Sequence, residues 1–279
     1  MEYLLSIFLG VVQGLTEFLP VSSSGHLVLF QHLFGLKEPE LLFDIGLHVG
    51  TLAAICSVFP ARLYRMISSL LRLPALIRES GGIRRVYEIN PEIRTIALIG
   101  IASIPTAIIG LWIESAADQI FRTPWITGLT LLVTGTFLWL TRQVKAQERS
   151  ISTMTVTAIL LIGVAQGVAV LPGISRSGAT ISAALFLGMN REDAGAFSFL
   201  LSIPAVLGAL LLSVNSPLTQ GTVSGNMIFL GAITAAVVGY VALKVLLGVV
   251  KKGRLHYFAP YCWAVGILVL MISGFYLSV

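Results

Sequence analysis

The chain has 279 residues, 56% of them hydrophobic and only 11% charged, with a net charge of +5 and a mean hydropathy of +0.91. That composition excludes a soluble globular domain, because several apolar stretches approach or exceed the ~20 residues that span a bilayer. It gives no nucleic-acid footprint either, since the basic residues lie in segments between apolar spans and read as topology signals.

Residues 3–19 predict an apolar helix, stopped by Pro20 and the serine run, with an apolar pattern resuming from His26 to Phe34. Neither piece spans ~30 Å of hydrocarbon alone, so residues 3–35 are expected to form a re-entrant helical hairpin. A full span is expected at 41–59, where Gly46 and Gly50 allow close helix packing, followed by an arginine-rich loop from Pro60 to Arg94. Further spans are expected at 95–113 and 124–141. The second half opens with 152–170, breaks at Pro172-Gly173, resumes from about Thr180 to Met189, and continues in spans at 194–214, 226–250 and 257–277. Pro105 and Pro204 are expected to kink their helices. Cys56 and Cys262 lie in apolar segments without metal-ligand spacing and read as core thiols, not as a disulfide or zinc site. The N-terminus has no basic n-region and no small-residue cleavage site, so no removable signal peptide is expected.

The chain is an internal duplication. A shift of 153 residues matches Gly10, Val11, Gln13, Gly14, Ser22, Ser24 and Gly25 with Gly163, Val164, Gln166, Gly167, Ser175, Ser177 and Gly178. The expected architecture is therefore an all-α polytopic membrane protein, one membrane domain over 1–279, with repeats at 1–150 and 151–279. Each repeat holds one hairpin and three full spans. Three is odd, so the second repeat runs inverted. With the N-terminus outside, nearly all basic residues fall in the loops at 60–94, 142–151, 190–193 and 251–256, which the positive-inside rule places in the cytoplasm.

The copies differ at two positions that carry charge. Glu17 is matched by Val170, and Ser23 by Arg176. A carboxylate inside a span costs roughly 2.5–3.5 kcal/mol on insertion scales, which marks Glu17 as a functional candidate. Inverted repeats bring their broken segments together near the bilayer midplane. The groups delivered there suit a phosphate. Arg176 offers a fork of donors, Gly25, Gly173 and Gly178 permit close backbone approach, and helix N-termini favour an anion. Ser22, Ser24, Ser175 and Ser177 add hydroxyls, and Gln13 shares a helix face with Glu17. Glu17 is weighed as an acid or base against a structural ion pair with Arg176, and His26 as general acid/base against a satisfied core histidine. Gln13 is weighed against a bundle-holding hydrogen bond. Ser23 is the candidate nucleophile, because its counterpart is the arginine. Asp44 and His48 stand four apart, but two ligands do not make a metal site, and they read as polar lining or helix packing.

Gln13-xxx-Glu17, Pro20-Val-Ser-Ser-Ser-Gly-His26 and Pro172-Gly-Ile-Ser-Arg-Ser-Gly-Ala-Thr180 together resemble the undecaprenyl-diphosphate phosphatase family of the bacitracin-resistance type. The resemblance implies an enzyme of the bacterial inner membrane that hydrolyses undecaprenyl diphosphate to the monophosphate and phosphate, recycling a lipid carrier for cell-wall synthesis. It puts the acidic-motif glutamate on Glu17, the serine–histidine pair on Ser23 and His26, and the phosphate-gripping arginine on Arg176. It also implies a divalent cation, Mg²⁺ or Ca²⁺, for which Glu17 is the motif's one carboxylate because position 13 is Gln. Other expected partners are a polyprenyl diphosphate and membrane lipids, with a homodimer left open and the site facing the extracytoplasmic side. The rival reading is a transporter or flippase for a phosphorylated lipid or anion, because inverted repeats with broken helices are shared with that class.

Overall fold

The structure is a computed structural model that describes residues 2–26, 41–115, 123–214 and 224–277. Its helices are α1 (Glu2–Phe18), α2 (Leu41–Val58), α3 (Pro60–Leu71), α4 (Leu73–Ser80), α5 (Ile83–Ile89) and α6 (Pro91–Glu114). They continue with α7 (Pro124–Leu140), α8 (Val156–Val168), α9 (Arg176–Phe186), α10 (Arg191–Val214), α11 (Gly225–Lys251) and α12 (Ala259–Leu277). Among the described residues, four stretches are long and apolar enough to cross a membrane: Pro91–Ile113, Arg191–Leu212, Gly225–Lys251 and Leu255–Ser273. A fifth joins them if α2 and α3 count as one bent span. The chain is thus a polytopic helical membrane protein. At 17 and 13 residues, α1 and α8 are the shorter apolar helices expected of the hairpin arms. The returning arm of the first hairpin, beyond His26, lies outside the described residues.

The repeated glycines set the packing. A Cβ on Gly10 would sit 2.7 Å from the Gly231 carbonyl, and one on Gly14 2.8 Å from the Ala235 carbonyl, so α1 lies directly on the α11 backbone. Their repeat partners do the same elsewhere: Gly163 abuts the Ala102 carbonyl, and a Cβ on Gly167 would come 2.8 Å from Ile109, which seats α8 on α6. Each of these two shorter helices therefore packs on a long apolar helix of the other half of the chain. Gly46 and Gly50 bring α2 against Ile228 and Ala232 of α11, as their spacing predicted. The main core runs between these pairs, with Phe18 and Phe199 in tilted contact at 5.7 Å.

Three expectations need correction. Pro60 to Arg94 is not a loop: three short helices fill it, and α3 turns 87° from α2 at Phe59. Its arginine density masked a helical period, with Tyr64, Ile67 and Leu71 on one side of α3. The second broken helix restarts at Arg176, not Thr180, because the Ser175 side chain caps it by accepting from the Gly178 N–H at 3.2 Å. Cys56 is exposed on α2, whereas Cys262 is buried as expected, and both are free thiols. Pro105 and Pro204 both lie within helices that continue through them.

Candidate active site

The end of α1 and the start of α9 meet. Glu17, in the last turn of α1, is 8% exposed, so its charge needs a partner in place of water. Arg176, the first residue of α9, supplies it: Nη2 pairs with Oε1. The other carboxylate oxygen, Oε2, accepts from Ser23 Oγ at 2.7 Å and from Gln13 Nε2 at 3.2 Å. The arginine's second terminal nitrogen, Nη1, is buried with no hydrogen-bond partner. Unsatisfied donors of that kind are rare in folded proteins and call for an explanation.

The two loops are tied by backbone. Ser22 sits at φ 70°, the left-handed region, and its Oγ accepts from the Gly173 N–H at 3.0 Å. Gly173 has φ 89°, and a Cβ there would run into Thr130 Oγ1, so glycine is required twice over. Two threonines of α7 clamp the second loop. Thr130 Oγ1 donates to the Pro172 carbonyl at 2.5 Å, and Thr134 Oγ1 donates to the Gly173 carbonyl at 2.9 Å while accepting from the Ser175 N–H at 3.2 Å. The neighbouring helix α12, packed on α7, holds the first loop: Cys262 Sγ donates to the Pro20 carbonyl at 3.3 Å. Gly25 and Gly178 make close contacts as expected, 3.3 Å from a built Cβ to Thr127 in the first case and 3.2 Å to Pro20 in the second.

A cleft of about 330 Å³ opens beside these groups. Glu17, Ser23, Ser24, Ser175 and Arg176 line it, facing an apolar wall that includes Val170, Val206 and Leu210. Asp44 and His48 of α2 line the same cleft, so their four-residue spacing marked a real polar wall. Gln166, the repeat partner of Gln13, lines it too.

Other expected site residues lie behind that surface. Ser22 ties the loops, and Ser177 pairs with Ser175 Oγ at 3.2 Å. His26 is not on the cleft wall. Its Nδ1 lies 2.8 Å from the Ser22 carbonyl, which can only accept, so Nδ1 carries the hydrogen; Nε2 bonds the Tyr261 hydroxyl at 2.7 Å. Sequence reasoning missed Tyr261, Thr130 and Thr134. The threonine pair did leave a signal, two hydroxyls at i and i+4 within an apolar helix, which suits a buried polar face.

The arrangement can hold an anion. Arg176, the first residue of α9, lines the cleft at the positive dipole end of that helix, with Ser23 hydrogen-bonded to a carboxylate alongside. The family model described as "Bacitracin resistance protein BacA" matches residues 6–268. A relative from Desulforapulum autotrophicum is 49% identical over 275 residues, covering 99% of each chain. One from Desulfatibacillum aliphaticivorans is 48% identical over 274 residues, covering 98% of this chain and 99% of its own. One from Methanobrevibacter smithii is 39% identical over 275 residues, covering 98% of each. All three carry the name undecaprenyl-diphosphatase. With the match running from α1 well into α12 and taking in both halves of the cleft, the chain belongs to the bacitracin resistance protein BacA family.

Proposed function

We propose that the cleft is the active centre of a membrane-embedded phosphatase that hydrolyses undecaprenyl diphosphate to the monophosphate and inorganic phosphate. The observation that carries this reading is the buried, partnerless Nη1 of Arg176, on a side chain that lines the same cleft as Ser23 and the apolar Val170, Val206 and Leu210. A terminal phosphate there would accept from Nη1 and the α9 amides, and the first prenyl units would lie against Val170, Val206 and Leu210. Ser23 Oγ then attacks the terminal phosphorus as Glu17 Oε2 takes its proton. The anhydride bond breaks, the prenyl monophosphate leaves, and water releases phosphate from the serine. Arg176 stabilises the charge that builds on the phosphoryl oxygens. Gln13 steadies the carboxylate, Ser24 and Ser175 face the anion, and Ser22, Gly25, Gly173, Ser177 and Gly178 shape the loops. His26 holds the serine turn through the Ser22 carbonyl, and it handles protons only once Tyr261 releases Nε2.

Mg²⁺ or Ca²⁺ fits this donor set, since Glu17 and Asp44 line one cleft and carboxylates suit hard cations. Among the described residues no three His, Cys, Asp or Glu side chains are grouped to hold an ion unaided, so diphosphate oxygens and water would complete the shell, a common pattern for Mg²⁺. Such a cation would neutralise charge on the diphosphate.

The halves 1–150 and 151–279 are read as inverted repeats. The crossed seating of α1 on α11 and of α8 on α6 by matching glycines supports that reading. The inner membrane of a bacterium is the proposed location, with the site facing the extracytoplasmic side. In support, Asp44 and His48 stand near the start of α2, at the end away from the arginine-rich helices α3–α5. In intact cells, cysteines placed at Ser216 and Ser80 should be labelled from outside only at the former; the opposite pattern would overturn the sidedness. Phosphate release from undecaprenyl diphosphate by purified protein in detergent tests the activity. Transport of the lipid between leaflets without phosphate release would instead support the transporter reading.

A further inference from the structure

The segment that leaves α2 forms a surface the catalytic reading does not use. The structure assigns α3–α5 to a docking face for anionic phospholipid headgroups, on the side of the membrane where α2 ends. Three observations carry this. First, α3 turns 87° from α2, so if α2 crosses the bilayer, α3 lies along its surface. Second, Tyr64, Ile67 and Leu71 form an i, i+3, i+7 stripe that is 74%, 57% and 77% exposed, and neither α3 nor α4 buries any residue. An apolar stripe on an interfacial helix, continuous with a spanning helix, is covered by the acyl boundary of the lipid. Third, residues 60–94 carry seven arginines against three glutamates, a net +4 of the chain's +5. Three of those arginines, Arg72, Arg78 and Arg85, are exposed and make no ion pair among the described residues.

Apolar stripe and unpaired guanidinium groups together match the two halves of an anionic lipid, acyl chain and phosphate. A second copy of this chain fits less well, because two such faces would set like charges against each other.

The test uses the full-length protein in nanodiscs. Spin labels at single cysteines along 62–72, in a Cys56→Ser background, should show helical periodicity of immersion, with positions 64, 67 and 71 deepest. Uniform water exposure along the helix would overturn the proposal. So would immobilisation of the stripe that disappears on dilution, which would mark a contact between copies. Separately, Arg72→Gln, Arg78→Gln and Arg85→Gln should lower the preference for phosphatidylglycerol over phosphatidylcholine stepwise, by up to roughly fivefold for each arginine. Phosphate release in detergent should stay at the wild-type rate. An unchanged lipid preference in the triple variant would sink the assignment even if the stripe is immersed.

Discussion

The serine turn at 20–26 and the loop at 172–178 follow one sequence pattern but are gripped by different helices. Tyr261 and Cys262 of α12 hold the first, and Thr130 and Thr134 of α7 hold the second. Positions that match between the copies do structural work. Gly10 and Gly163 seat their helices, as do Gly14 and Gly167, while Ser22 and Ser175 each accept a backbone N–H. Positions that differ carry the ion pair and the proposed nucleophile, Glu17 against Val170 and Ser23 against Arg176. Duplication thus supplied the frame, and divergence made one asymmetric site from two similar loops. A carboxylate in each copy would have met no guanidinium, and two arginines would have met no acid.

The comparison breaks most sharply at Ser23. Ser23→Ala should cut phosphate release by about 10³-fold or more if the hydroxyl is the nucleophile. Substantial residual turnover would assign the attack to water and leave Ser23 as a cleft hydroxyl. Its counterpart is tested by Arg176→Lys, which keeps the charge but loses the planar fork. The expected loss is about 10²–10³ in kcat with the fold retained; normal turnover would reduce Arg176 to a source of bulk charge.

Glu17→Gln should slow the single-turnover rate by about 10²-fold while leaving substrate binding intact. Removing a carboxylate cannot weaken an anion's binding through charge. Weakened binding that rising Mg²⁺ restores would instead show Glu17 holding a cation that bridges to the diphosphate.

The smallest effects test the shared frame. Gly10→Val and Gly163→Val should each destabilise the protein by about 1–3 kcal/mol, read as a lowered unfolding temperature in detergent. Gly100→Ala, where a Cβ meets nothing within 4 Å, is the control and should be neutral or slightly stabilising. Loss of stability at only one of the two repeat positions would mean the halves do not share a packing rule.

Much of this molecule could be read before any coordinates. Hydropathy decided the membrane class, because long apolar runs have no other stable setting. The 153-residue repeat exposed the duplication, and its two mismatches pointed to Glu17, Ser23 and Arg176, which do meet. Gly46 and Gly50 announced a close helix contact that α2 and α11 make. Where the sequence misled, two local signals competed. In 60–94 charge hid the helical period, and near Arg176 the chain's Pro172-Gly173 break hid an early Ser175 cap. Tertiary structure alone decided which polar groups face the cleft. His26 looks equivalent to Ser23 in the motif, yet it bonds Tyr261, 235 residues away, while Asp44 and His48 join the site from a helix outside both motifs. Side-chain period and capping are set within a few residues, so the sequence encodes them locally. Partners are chosen by helices that pack across the whole chain, as when Ser22 meets Gly173, 151 residues on, and only the packed bundle fixes those contacts.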